Sequence, residues 1–132
     1  MSKSLNELRD EAFKTAREHG FKDASIPEDL MLMVSELAEA LEDHRAGKLA
    51  HEMTYETVGD GSHWTAAEID SMRQRGAFQV ERFKPCGIPS EMADVVIRVL
   101  HFCGKHGIDI ERAVQEKMAF NDKRPFKHGK VL

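Results

Sequence analysis

Residues 34–43, VSELAEALED, place four carboxylates (Glu36, Glu39, Glu42 and Asp43) in little more than two helical turns, with no Lys or Arg before Arg45. The run lies inside a longer helical pattern. Ser25 and Glu28 form a capping box, and Pro27 falls in the first turn. Leu30, Met33, Val34, Leu37 and Leu41 recur at helical spacing, and Gly47 closes the segment. At about 100° per residue, Leu32, Glu36, Glu39 and Asp43 line one stripe beside that apolar face. Glu42 and Ser35 point away, toward solvent. Glu42 therefore needs no special account, whereas Glu36 and Glu39 flank the seam on which the helix packs.

Three other principal helices are read from the sequence. Ser4 and Glu7 make a capping box for the first, with Leu5, Leu8, Ala12, Phe13 and Ala16 at helical spacing and Gly20 at its end. A third helix starts near Pro89 and ends at Gly104 or Gly107. Met92, Val95, Val96, Ile97, Val99, Leu100 and Phe102 leave it apolar around most of its circumference, so it is expected to be the most buried element. Asp109 caps a last helix reaching about Phe120, with Ile110, Ala113, Val114 and Met118 inward.

Residues 48–88 differ in composition. TVGDGSHW (57–64) reads as a turn, and TAAEIDSMRQRG (65–76) opens with a capping box and reads as a short helix. AFQVERF (77–83) alternates like a strand that could pair near EMTYETV (52–58) in a small hairpin. This segment is taken as an inserted flap without enough apolar residues for its own core. Residues 121–132, NDKRPFKHGKVL, form a basic C-terminal arm. The fold class expected is all-α: four principal helices in a bundle, residues 1–132 forming one domain with the flap between helices 2 and 3.

The chain has 132 residues, 41% hydrophobic and 32% charged, with a net charge of −4. That balance describes a soluble domain and gives no reason to expect a nucleic-acid polymer as partner. No apolar run approaches the ~20 residues of a membrane span, and nothing resembles a signal peptide. Cys86 and Cys103 are too few and too far apart for a disulfide framework or a zinc knuckle. The expected location is cytoplasmic.

The third helix repeats the acidic motif, with Glu91 and Asp94 three residues apart on its polar stripe. If the second and third helices pack together, four carboxylates converge. Two like charges ~4 Å apart repel by ~1 kcal/mol in water and ~4 kcal/mol at a protein-surface dielectric. Raised pKa values, basic partners or bound cations must offset this. Oxygen ligands without His or Cys favour Mg²⁺ or Mn²⁺ over zinc. The competing account is a solvated face: acids near a helix start complement the macrodipole, and Arg98, four residues after Asp94, could pair with it.

SELAEALED (35–43), SEMADVVIRVL (90–100) and KMAFNDKRPFKHGK (117–130) together resemble the MazG-type all-α nucleoside triphosphate pyrophosphatases. That family carries a Glu-x-x-Glu pair, a Glu-x-x-Asp pair and a downstream Lys-x-x-x-Asn-x-x-Arg stretch. Glu36 and Glu39, Glu91 and Asp94, and Lys117, Asn121 and Arg124 match in order, with His128 and Gly129 after the Arg. The connection between the acidic pairs is longer here than the family's short linker.

The resemblance implies Mg²⁺-dependent hydrolysis of a ribo- or deoxynucleoside triphosphate to monophosphate and pyrophosphate, in a housecleaning role. Glu36, Glu39, Glu91 and Asp94 would hold the metal, Mn²⁺ being a possible substitute. Glu39 would take the proton of the attacking water. Lys117, Asn121, Lys123 and Arg124 would cover the phosphates, and Phe13 and Trp64 are candidates for stacking on the base. Family members assemble as dimers or tetramers, so a homo-oligomer is expected. The alternatives are a phosphoribosyl-ATP pyrophosphatase-like enzyme and a non-catalytic helical interaction protein.

Overall fold

The computed structural model describes residues 2–20 and 23–124. They form five α-helices and a small antiparallel sheet, so the mainly helical class holds. The helices are α1 (Leu5–Glu18), α2 (Ile26–Arg45), α3 (Ala66–Gln74), α4 (Ile88–Lys105) and α5 (Ile110–Asp122). The strands are β1 (Thr54–Thr57), β2 (His63–Thr65) and β3 (Phe83–Cys86). No helix among the described residues is long and apolar enough to cross a membrane. The chain divides into two compact units, Met1–Ala24 with Val99–Leu132, and Ser25–Arg98.

In the first unit α1 starts where its capping box dictates: Ser4 and Glu7 satisfy each other's backbone N–H groups. Polar contacts then tie α1 to the start of α5. The Asn6 amide donates to Asp109, and its backbone N–H donates to Glu111 at 2.8 Å. Arg9 reaches the carbonyl of Ile108. Phe13 stacks on His101, and the Arg17 guanidinium lies over the Phe13 ring, 5.5 Å from its centroid. Leu100 and Cys103 are the buried side chains of α4.

In the second unit α2 opens with the Ser25–Glu28 capping box and Pro27, as its sequence requires. The sheet has the order β2-β1-β3, with both pairings antiparallel. Thr54 lies opposite Thr65 on one side and Cys86 on the other. The turn joining β1 to β2 contains Gly59 and Gly61 with positive φ, and Asp60 accepts from the Ser62 N–H. Pro85 lacks a donor and sits in β3, an edge strand, where that loss is tolerated.

Two expectations are corrected here. Residues 48–88 do contain an apolar cluster of their own: Tyr55, Ile69, Met72 and Phe83 are buried, with Met53, Trp64, Ala66 and Phe78 packed against them. Three short elements pool their single apolar faces, which no one segment reveals. The strand expected within 77–83 lies later, at Phe83–Cys86, because Val80–Arg82 coil into a 3₁₀ turn closed by Arg82 N–H to the Gln79 carbonyl. Its partner, β1, was anticipated. As expected, α4 is the most buried helix among the described residues: only Met92, Ala93, Val96 and Ile97 of its 18 residues are exposed. Val96 and Ile97 are 50% and 51% exposed, and Leu30, Val34, Leu37 and Leu41 of α2 are also open to solvent. These apolar faces are wider than the described residues cover.

Candidate metal centre

Two helices build the site from opposite ends of the second unit's sequence. α2 contributes Glu36, one of the two buried charged side chains among the described residues, and α4 contributes Glu91 and Asp94. One carboxylate oxygen from each lies within 4.8 Å of the others. The start of α4 is set by Gly87, whose φ of +97° turns the chain out of β3, and whose carbonyl accepts from the Glu91 N–H. A single left-handed residue thus aims the Glu91–Asp94 pair at Glu36.

The charges are only partly balanced. Arg98, one turn after Asp94, donates from Nε to Glu36 Oε1 at 2.8 Å. It therefore pairs across to α2, and not with Asp94 as i,i+4 spacing would favour. Burial pushes the Glu36 carboxyl up, but the Arg98 hydrogen bond and charge, with hydrogen bonds from Glu91 and Glu39, hold it below the usual range. Glu91 bears the opposite consequence. Burial, then the Glu39 hydrogen bond and charge, then Glu36 and Asp94, raise it from 4.5 to about 7. Burial and the Glu36 charge also raise Asp94, while Arg98 and Lys84 draw it back.

Glu91 Oε2 is buried with no hydrogen-bond partner. An orphaned carboxylate oxygen costs free energy that a bound cation would return. Three convergent hard oxygens, no imidazole and no thiolate make a donor set suited to Mg²⁺ or Mn²⁺. Glu39, the fourth carboxylate, is exposed at the edge of this group, close enough to act on both Glu36 and Glu91.

Of the other candidates, Lys117, Asn121, Lys123, Arg124 and Phe13 belong to the first unit and Trp64 to the second. Lys117 and Arg124 each stand 5.5 Å from the Phe120 ring centroid, and Lys123 caps α5. Asn121 Oδ1, in the same stretch, is buried without a partner. His128, Gly129 and the rest of the arm from residue 125 lie outside the described residues. Phe13 is engaged with His101, and Trp64 packs edge-on against Phe83 while its indole N–H donates to Thr57 at 2.7 Å. Trp64 is thereby accounted for by the sheet cluster.

Of the further contributors, Arg98 was read as a partner of Asp94 and Lys84 escaped the sequence reading. Arg98 shares the polar stripe of Glu91 and Asp94, a signal that was visible, but its choice of Glu36 depends on helix packing. Lys84 is on β3, opposite Glu56, and acts on Asp94 through space. Nothing in the local pattern marks it. No protein-family model, curated protein or solved structure matches the chain.

Proposed function

We propose that the protein is a Mg²⁺-dependent nucleotide pyrophosphohydrolase that cleaves a nucleoside triphosphate to monophosphate and pyrophosphate. The observation that carries this reading is the meeting of Glu36, Glu91 and Asp94 within 4.8 Å, with a partnerless buried oxygen among them. The ordered resemblance to the MazG-type enzymes supplies the reaction class. The same reading keeps α1, α2, α4 and α5 as a four-helix bundle and residues 48–88 as its insertion.

Glu36, Glu91 and Asp94 would hold the ion, with Glu39 completing the set. Bound Mg²⁺ or Mn²⁺ supplies positive charge to a polyphosphate and makes nearby water more acidic. Glu39, which is exposed, would accept the proton of water as its oxygen bonds to phosphorus. The bridge between the α and β phosphates breaks, and pyrophosphate carries away the bond's electron pair. By the resemblance alone, Lys117, Lys123 and Arg124 would cover the phosphate charge and Asn121 would hold a phosphate oxygen.

The exposed apolar faces of α2 and α4 favour a homo-oligomer, either dimer or tetramer. They equally suit a helical interaction protein without catalysis. Both ideas are separated by one assay: Mg²⁺-dependent pyrophosphate release across ribo- and deoxynucleotides, repeated with Glu39→Gln. Release abolished by the substitution supports the enzyme. Release from no nucleotide moves the assignment to the interaction protein, and activity indifferent to the substitution refutes the role of Glu39.

A further inference from the structure

The second unit holds an arginine, Arg98, paired with one of the metal-centre carboxylates. Glu36 has a side chain 9% exposed, whereas its partner Arg98 is 39% exposed. The contact is a single one, from Nε. Among the described residues it is the only hydrogen bond of this guanidinium, although a guanidinium carries five donors and binds carboxylates best through two parallel bonds. One cation therefore stands at the solvent edge of a group that includes Glu36, Glu39, Glu91 and Asp94. It leaves Glu91 Oε2 unsatisfied.

We infer that Arg98 is a displaceable counter-ion: it holds Glu36 while the cluster is without a divalent cation, and lets go when one enters. This rests on the metal-centre reading above and adds a residue that sets how tightly the cation is held. The physical reasons are charge and geometry. A guanidinium against Glu36 repels an incoming cation and occupies one oxygen of a ligand. A one-bond contact at a partly exposed edge breaks more readily than a buried two-bond fork. Released, the guanidinium remains beside the cluster, where an anionic phosphate would meet it. Arg98 is thus a positioning residue, acting through Glu36.

Two measurements without nucleotide test this. In the first, Mn²⁺ binding is followed by electron paramagnetic resonance for the wild type, Arg98→Gln and Arg98→Lys. Arg98→Gln should bind Mn²⁺ about tenfold tighter, since it removes a competing charge worth roughly one decade, and Arg98→Lys should stay near the wild type. Unchanged or weaker binding by folded Arg98→Gln overturns the proposal but leaves the metal centre standing. Failure of the wild type to bind Mn²⁺ at millimolar concentration overturns both. In the second, the Arg98 Nε–H resonance of the wild type is followed by NMR during Mg²⁺ titration, so the result does not depend on a variant folding. Its protection from solvent exchange should be lost as Mg²⁺ saturates. A resonance still protected at saturation overturns the proposal.

Discussion

Gly104 faces Phe13 so closely that a Cβ added to the glycine would lie 2.7 Å from the phenylalanine Cβ and 3.2 Å from the Arg9 carbonyl oxygen. This is where α1 and the end of α4 approach, and only a hydrogen fits. In an open helix, Gly→Ala gains about 1 kcal/mol from propensity. Here the added methyl meets a Cβ and a backbone oxygen, neither of which can rotate away. Overpacking of this kind costs about 1–3 kcal/mol. Gly104→Ala should therefore destabilise the protein by about 1 kcal/mol net in urea unfolding. A stabilised variant would show that the two helices separate freely.

The raised Glu91 gives a pH dependence whose sign can be worked out. Its value in the fold is about 7, above the ordinary 4.5. Between those values the folded protein binds more protons than the unfolded chain, so stability falls as pH rises through the window. Asp94 is also raised and acts in the same direction. Glu36 is lowered, so the stability it contributes is present above its ordinary value and is lost only as pH falls below it. In EDTA, the melting temperature should drop by about 5 °C from pH 5 to pH 8, a shift of the size that ~1 kcal/mol produces in a domain this large. Saturating Mg²⁺ should restore it at pH 8 but do little at pH 5, where a protonated Glu91 is a poor ligand. Glu91→Gln should flatten the profile. A wild-type profile that does not respond to Mg²⁺ would argue against a cation at these carboxylates.

The helices were legible because their signals are local. Three capping boxes, Ser4–Glu7, Ser25–Glu28 and Thr65–Glu68, sit three residues apart in sequence and form in the structure as written. Glu36, Glu91 and Asp94 were legible for a related reason: helical periodicity puts each on a polar stripe beside an apolar face. Strand β2 was not, because a three-residue strand is defined by its partner, Tyr55 opposite Trp64, more than by its own residues. Nor was the exposure of Val96 and Ile97. An apolar pattern says that a face wants cover, but it does not say what provides it.

The cluster within residues 48–88 implies that this segment is packed, not a loose strap. Ile69 of α3 is fully buried in the cluster it forms with Tyr55, Met72 and Phe83. Ile69→Ala should cost about 3 kcal/mol, within the range for emptying a buried aliphatic site. Hydrogen exchange should then accelerate in β1 and β3, whose ladder bonds depend on that packing. If exchange there is already fast in the wild type, the segment is not a stable element.

Gly87 links that packed segment to the metal centre. Its φ of +97° disfavours any L side chain, and a Cβ would come 2.6 Å from the Glu52 carbonyl oxygen. Both obstacles lie in backbone, so alanine cannot be accommodated by a rotamer change. The turn must shift instead, and the first residues to move are those of α4 that carry Glu91, whose N–H is bonded to the Gly87 carbonyl. Ligand sets tolerate little displacement, since hard cations need their oxygens within a few tenths of an ångström. Gly87→Ala should accordingly weaken Mn²⁺ binding at least tenfold, by isothermal titration, while circular dichroism retains the helical content. Gly76→Ala is the control: its φ is +70°, it has nothing within 4 Å, and it follows α3 at the exposed end. It should suffer the same left-handed strain of about 1 kcal/mol with no loss of metal affinity. Equal loss in both variants would mean that backbone strain alone, and not the aim of Glu91, governs the site.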